Sequence, residues 1–135
     1  MTLPATGTFT VQMTPAGEPA VVAPGETPLA RMTLDKVFRG DMSGTSRGEM
    51  LTAVTPTPGS AAYVAVERFT GTVHGRGGSF VLQHSGAMSR AGGQRLDISI
   101  VPDSGNGELA GIEGRFLLEI EGGEHRYTLE YTLPR

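Results

Sequence analysis

A chain of 135 residues supports one domain, residues 1–135, around one core, and is too short for two ordinary domains. Hydrophobic residues make up 38% and charged residues 19%, the formal net charge is -3 and the pI is near 5.6. That balance is globular rather than disordered, and it carries no electrostatic footprint for nucleic acid or for an anionic membrane surface. With no cysteine, disulfides, thiolate nucleophiles and Cys-bound metals are excluded. The opening MTLPATGTFTVQM has neither a basic n-region nor a continuous apolar h-region, and no later stretch approaches the roughly 20 apolar residues of a membrane helix. A soluble, cytoplasmic protein is expected.

The 20 Gly and 9 Pro punctuate the chain into short strands joined by tight turns. Phe9, Val11 and Met13 alternate with Thr8, Thr10 and Gln12 and predict a first half-buried strand. TPAGEPAVVAPGETP is Pro-rich and predicts the longest loop. LARMTLDKVF is a second strand with Ala30, Met32 and Leu34 on one face and Arg31, Thr33 and Asp35 on the other. TSRGEMLTAV follows a turn near Gly40 and Asp41, and PTPGS separates it from AAYVAVERFTG. GSFVLQH and RLDISIV are the fifth and sixth strands, and PDSGNGELAG bridges to GRFLLEIEG. After Gly122 and Gly123 comes HRYTLEYTL, where Tyr127, Leu129, Tyr131 and Leu133 oppose Arg126, Thr128, Glu130 and Thr132. Eight consecutive strands with one apolar face each are expected to close into an all-β, antiparallel, up-and-down barrel, which removes sheet edges; a sandwich is the alternative. An eight-stranded barrel has room inside for side chains or one small ligand.

Glu67 lies between Ala65 and Phe69, and His84 two positions after Leu82, so both sit on faces that should point into the core, where ionisable groups are costly unless paired. In an antiparallel hairpin, the turn fixes which residues face each other. A two-residue loop at Gly75 and Arg76 places Glu67 opposite His84, Phe69 opposite Leu82 and Gly71 opposite Phe80. A loop at Gly40 and Asp41 places Met32 opposite Glu49, with Arg47 on the same inward face and Ser46 and Gly48 outward. A five-residue loop from Pro56 to Ser60 then sets Glu49 opposite Glu67. The expected result is an inward row of Glu49, Glu67 and His84, with the pKa of one carboxylate raised by its neighbour and the imidazole sharing its proton. The Gly122–Gly123 turn brings Phe116, Leu118 and Ile120 onto the face of His125, Tyr127, Leu129 and Tyr131.

The plainest reading of Glu67 and His84 is a buried pair that satisfies itself and fixes register; ligand contact and catalysis are the functional readings. Tyr63, Tyr127 and Tyr131 read first as core aromatics, and His125, beside a turn, as solvated. A Glu/Glu/His row suits a metal chemically, but no HExxH or similar motif is present; neither a metal nor another cofactor is expected. HGRGG lacks the following helix of a phosphate cradle and is a hairpin turn.

The runs KVFRGDMSGTSRGEML, AAYVAVERFTGTVHGRGGSFVLQH, VPDSGNGELAGIEG and HRYTLEY resemble a family of small uncharacterised bacterial proteins that carry a domain of unknown function, over about Thr6 to Leu133. The resemblance implies a compact barrel of the allene oxide cyclase-like, calycin type. It also implies that SFVLQH and the glutamates of RGEML and VERFTG recur in the family. Relatives of that broader fold include cyclases that hold a flexible substrate in an apolar lumen with a polar anchor, but no catalytic residue transfers by motif, since fold does not carry function.

Three functions are therefore expected in competition. The first is a barrel that binds a small apolar or aromatic molecule, with Glu67 and His84 at its polar end and Tyr63, Phe80, Leu82, Tyr127 and Tyr131 as lining. The second is an isomerase or cyclase with Glu67 or Glu49 as general base and His84 as partner. The third is a filled structural barrel. Val64, Val66 and Val81 fall on the outer face, where a homo-oligomer would cover them.

Overall fold

The computed structural model describes residues 2–18 and 21–134. The Pro-rich loop expected after the first strand spans Ala16 to Pro28, with residues 19–20 lying outside the described part. Nine strands form one sheet: β1 (Leu3–Pro15), β2 (Leu29–Gly40), β3 (Met42–Val54), β4 (Ala61–Val73), β5 (Arg76–Met88), β6 (Gln94–Ile100), β7 (Asn106–Gly107), β8 (Glu113–Glu121) and β9 (Glu124–Thr132). Their order is β4-β3-β2-β1-β9-β8-β6-β5-β7, with β4 also paired to β5. The sheet thus closes into the expected eight-stranded antiparallel barrel, and the two-residue β7 is an addition on β5. No helix occurs among the described residues, so none is long and apolar enough to cross a membrane.

Turn chemistry decides which residues point inward. The β4–β5 hairpin turns on His74 (φ 49) and Gly75 (φ 79), with Val73 opposite Arg76. This is a type I′ turn with His where Asn is usual. Compared with the expected Gly75–Arg76 loop, the register slips by two residues: Glu67 faces Leu82, and Ala65 faces His84. A slip of two keeps every side chain on its face, so Glu67 and His84 remain together inside.

The two earlier hairpins slip by one residue. Asp41 is held by β1 instead of pairing across its own hairpin: its N–H donates to the Thr6 carbonyl at 2.9 Å, and its carboxylate accepts the Thr6 N–H at 2.9 Å. With Gly40 at φ 106, the chain turns around Asp41 alone, and Met32 faces Met50 rather than Glu49. At the β3–β4 connection Thr55 joins the loop. Its hydroxyl donates to the Ser60 carbonyl at 2.7 Å and accepts the Thr57 N–H at 3.2 Å, so Val54 pairs with Ala61. Consequently β3 presents Met42, Ser46, Gly48 and Met50 inward, and Glu49 and Arg47 outward. Both expectations for β3 are corrected: Glu49 is exposed beside Arg31, Arg47 pairs with Asp35 at 3.1 Å, and Ser46 is buried. The two slips cancel at β4, which is why its face is as expected.

The barrel has a packed end and an open end. At the packed end Phe9, Phe38, Phe69, Phe80, Phe116 and Tyr127 form a continuous aromatic cluster with centroid spacings of 5.2 to 6.2 Å. The bridge between β6 and β8 inserts Leu109 and Ile112, both fully buried, as a plug. The Tyr127 hydroxyl accepts the Met42 N–H at 2.8 Å and donates to the Arg39 carbonyl at 3.0 Å, tying β9 to the β2–β3 turn. The joints of the barrel are uneven. β2, β3, β4 and β5 pair along nearly their whole lengths, whereas β6 and β8 share the single pairing Ser99 with Arg115. Tyr127→Phe leaves the buried Met42 N–H without a partner and is expected to destabilise the fold by about 1–3 kcal/mol, measurable as a lower midpoint in urea with an unchanged m-value.

Candidate functional site: a buried ion cluster below the open end

Four consecutive strands each send one polar side chain to the middle of the lumen: Lys36 from β2, Ser46 from β3, Glu67 from β4 and His84 from β5, between 1% and 8% exposed. Glu67 faces Gly48. A Cβ there would stand 2.6 Å from the Glu67 Cβ, so only glycine lets the carboxylate cross β3 toward Lys36. Lys36 Nζ lies 2.6 Å from Glu67 Oε1 and 5.0 Å from the centroid of the Phe9 ring. The Ser46 hydroxyl donates to Glu67 Oε2 in a short hydrogen bond. His84 Nε2 is 3.0 Å from Glu67 Oε1, but its N–H aims off the oxygen and has no aligned acceptor. The contact is therefore electrostatic more than a directed hydrogen bond. On the other side of the ring, His84 Nδ1 is 3.1 Å from the Tyr63 hydroxyl. Burial, with the nearby Glu67 charge, raises the Tyr63 pKa; the Glu67 carboxylate 3.0 Å from Nε2 favours the proton of a neutral His84 on that nitrogen, which leaves Nδ1 to accept from the Tyr63 hydroxyl.

Burial by itself would raise the Glu67 pKa, but the contacts with His84, Lys36 and Ser46 outweigh it and hold the carboxyl at about 2, below its ordinary 4.5. The expected pair of repelling carboxylates is absent, because Glu49 is outside, and Glu67 is a permanent anion instead of a base with a raised pKa. It is suited to orienting and polarising His84 and is a poor proton acceptor.

The other residues expected to line a ligand separate into two groups. Tyr63 is half-buried near the open end. Phe80, Leu82, Tyr127 and Tyr131 are at most 2% exposed and belong to the packed core. Tyr131 hydrogen-bonds His74 Nδ1, and His74 Nε2 lies 3.4 Å from Asp41. Asp41 is held below its usual carboxylate range, first by the Thr6 N–H and further by His74. Tyr131–His74–Asp41 thus repeats the wiring of Tyr63–His84–Glu67 at the opposite end, where it pins the β4–β5 hairpin to the β2–β3 turn.

Around the open end, residues that follow the inward alternation are left in water: Met13 is 51%, Leu96 45% and Ile120 65% exposed. Met32, Met50 and Leu118 are half-buried on the same side. Pairing of β1 with β9 stops at Phe9 and His125, and a notch of about 550 Å³ opens there, lined by Phe9, Val11, His125 and the Gly122–Gly123 turn. A larger depression of about 710 Å³ is on the outer wall and includes Leu51, Val64 and Val66.

Residues 5–131 match the family described as "Protein of unknown function (DUF3224)". The chain belongs to the DUF3224 family. It is similar to the crystal structure, at 1.84 Å resolution, of a DUF3224 protein of unknown function from Shewanella oneidensis MR-1, with 43% sequence identity over 100% of both chains and a TM-score of 0.91. No curated protein matches the chain. Lys36 and Ser46, which complete the cluster in this DUF3224 barrel, were not expected as site residues. Lys36 was within reach, since it continues the inward alternation of Met32 and Leu34.

Because the folded-state pKa of Glu67 lies below the unfolded value, its contribution, on the order of 3 kcal/mol, is complete above about pH 4.5 and is lost as pH falls toward 2. Denaturant titrations at stepped pH are expected to show this acid limb in the native chain and a flattened one in Glu67→Gln. Lys36→Met, which strands the buried carboxylate, is expected to cost about 3–5 kcal/mol, with much of that recovered in the Lys36→Met, Glu67→Leu double variant.

Proposed function

We propose that this DUF3224 chain is a small-molecule-binding barrel whose open end takes an apolar or aromatic molecule and whose His84–Tyr63 edge meets that molecule's polar group. The observation that carries the reading is the inward-facing apolar rim, Met13, Leu96 and Ile120, left about half-exposed or more directly above a buried charge cluster. Such a rim is unfavourable in water and gains roughly 25 cal/mol per Å² when covered. Methionines at positions 13, 32 and 50 supply soft, adaptable surface for an irregular guest. Lys36 and Glu67 already satisfy each other, so the groups left to recognise a ligand are the imidazole and the phenol. The notch beside Phe9 and Val11 offers a second approach to the same space. The allene oxide cyclase-like, calycin-type grouping, a cytoplasmic location and the absence of a cofactor belong to this proposal.

One observation favours a catalytic version. Tyr63, His84 and Glu67 are connected as donor, base and orienting carboxylate, the arrangement that lets a histidine take and return a proton. In an isomerase or cyclase on this barrel, His84 would be the base, Glu67 would hold the ring and stabilise its protonated form, and Tyr63 would carry the proton to or from the substrate.

Titration with 1-anilinonaphthalene-8-sulfonate, together with mass spectrometry of molecules co-purifying with the native chain, tests the site. Ile120→Lys, which charges the rim at an exposed position, and Tyr63→Phe are each expected to weaken binding by about tenfold while the circular dichroism spectrum is retained. Affinity unchanged in both variants would remove the open end as the site.

A further inference from the structure

The outer wall of β2 to β6 differs from the rest of the barrel surface. β1 and β9 show water residues such as Thr8, Thr10, Gln12, Arg126, Thr128 and Glu130. On β3 and β4, by contrast, Leu51, Val64 and Val66 stand side by side, each more than 50% exposed. The register arranges this wall in rows across the strands. One row reads Arg31, Leu51, Val64, Ser85, Asp97. At about 4.8 Å between strands, Arg31 and Asp97 lie roughly 10 Å to either side of Val64. The row is apolar about its centre and carries opposite charges at its two ends.

We propose that this wall is the interface of a two-fold homodimer whose axis lies in the contact plane along β4. About such an axis, a residue on one side of β4 meets the residue at the same distance on the other side in the second copy. Val64 and Val66 then meet their own counterparts. Arg31 meets Asp97 of the second copy, twice in the dimer. In the neighbouring row Glu49 meets Gln83, whose amide donates to the carboxylate. On the other flank Ala53, Ala62 and Ala87 are small enough for the copies to approach closely. The depression of about 710 Å³ along this wall receives the long Arg31 and Gln83 side chains of the second copy. Within one chain these charges are poorly used: Arg31 reaches Glu49 only at 3.7 Å between exposed groups, and Asp97 has no ion-pair partner among the described residues.

Sedimentation velocity of the full chain is the test. The native protein is expected to sediment at twice the chain mass of 14.2 kDa at tens of micromolar. Arg31→Asp and Asp97→Arg, both on the exposed wall, each create two like-charge contacts and are expected to weaken the dimer by at least about tenfold. An equimolar mixture of the two variants is expected to recover it, because every mixed contact again joins opposite charges. A monomeric native chain overturns the proposal and leaves the wall to another occupant; dimers indifferent to both variants, or no recovery on mixing, overturn it in favour of a different surface. Neither variant touches the open end, so dye binding there is expected to be unchanged, and failure of one proposal is separable from failure of the other.

Discussion

A carboxylate in the middle of a barrel has to be compensated where it stands, and Glu67 is compensated by its neighbours on three other strands. Lys36, Ser46 and His84 come from β2, β3 and β5, so the cluster spans four consecutive strands and three hairpins. Sliding any of those hairpins by one residue would move a partner to the outer face and leave a buried charge exposed to the low dielectric. The ion cluster therefore adds a second penalty, beside the apolar alternation, against a one-residue slip.

That selectivity also explains what could be read from the sequence. The eight strands of the barrel, their order, its closure, and the inward placement of Glu67 and His84 follow from alternation and turn residues, which are local. The faces of β3 do not, because they depend on whether Asp41 and Thr55 belong to a strand or to a turn, and that is settled by Thr6 on β1 and by the Thr55 hydroxyl. Glu49 and Ser46 exchange places as a result. Ser46 is invisible to any scan for ionisable residues, whereas Lys36 is hidden only by the habit of assigning lysine to the surface. Phe80, Tyr127 and Tyr131 share the inward parity of Tyr63, but depth along the barrel axis distinguishes a mouth from a floor, and no local pattern in the chain encodes depth.

The two ends of the barrel use one chemical device in two settings. Tyr131–His74–Asp41 joins turns at the packed end, with the tyrosine buried but the His74 and Asp41 side chains 38% and 43% exposed. Tyr63–His84–Glu67 has the same connections beneath an exposed apolar rim, with both His84 and Glu67 buried. The two triads thus differ in their surroundings and not in the kinds of residue they join.

The cylinder is also stitched unequally. Seven of its joints are long ladders, and the eighth, between β6 and β8, holds by one rung, Ser99 with Arg115. A rolled sheet fastened in this way resembles a cuff with a single button, and that fastening lies outside the four strands that hold the ion cluster. Amides flanking Ser99 should trade their protons with water well ahead of those in β3 and β4.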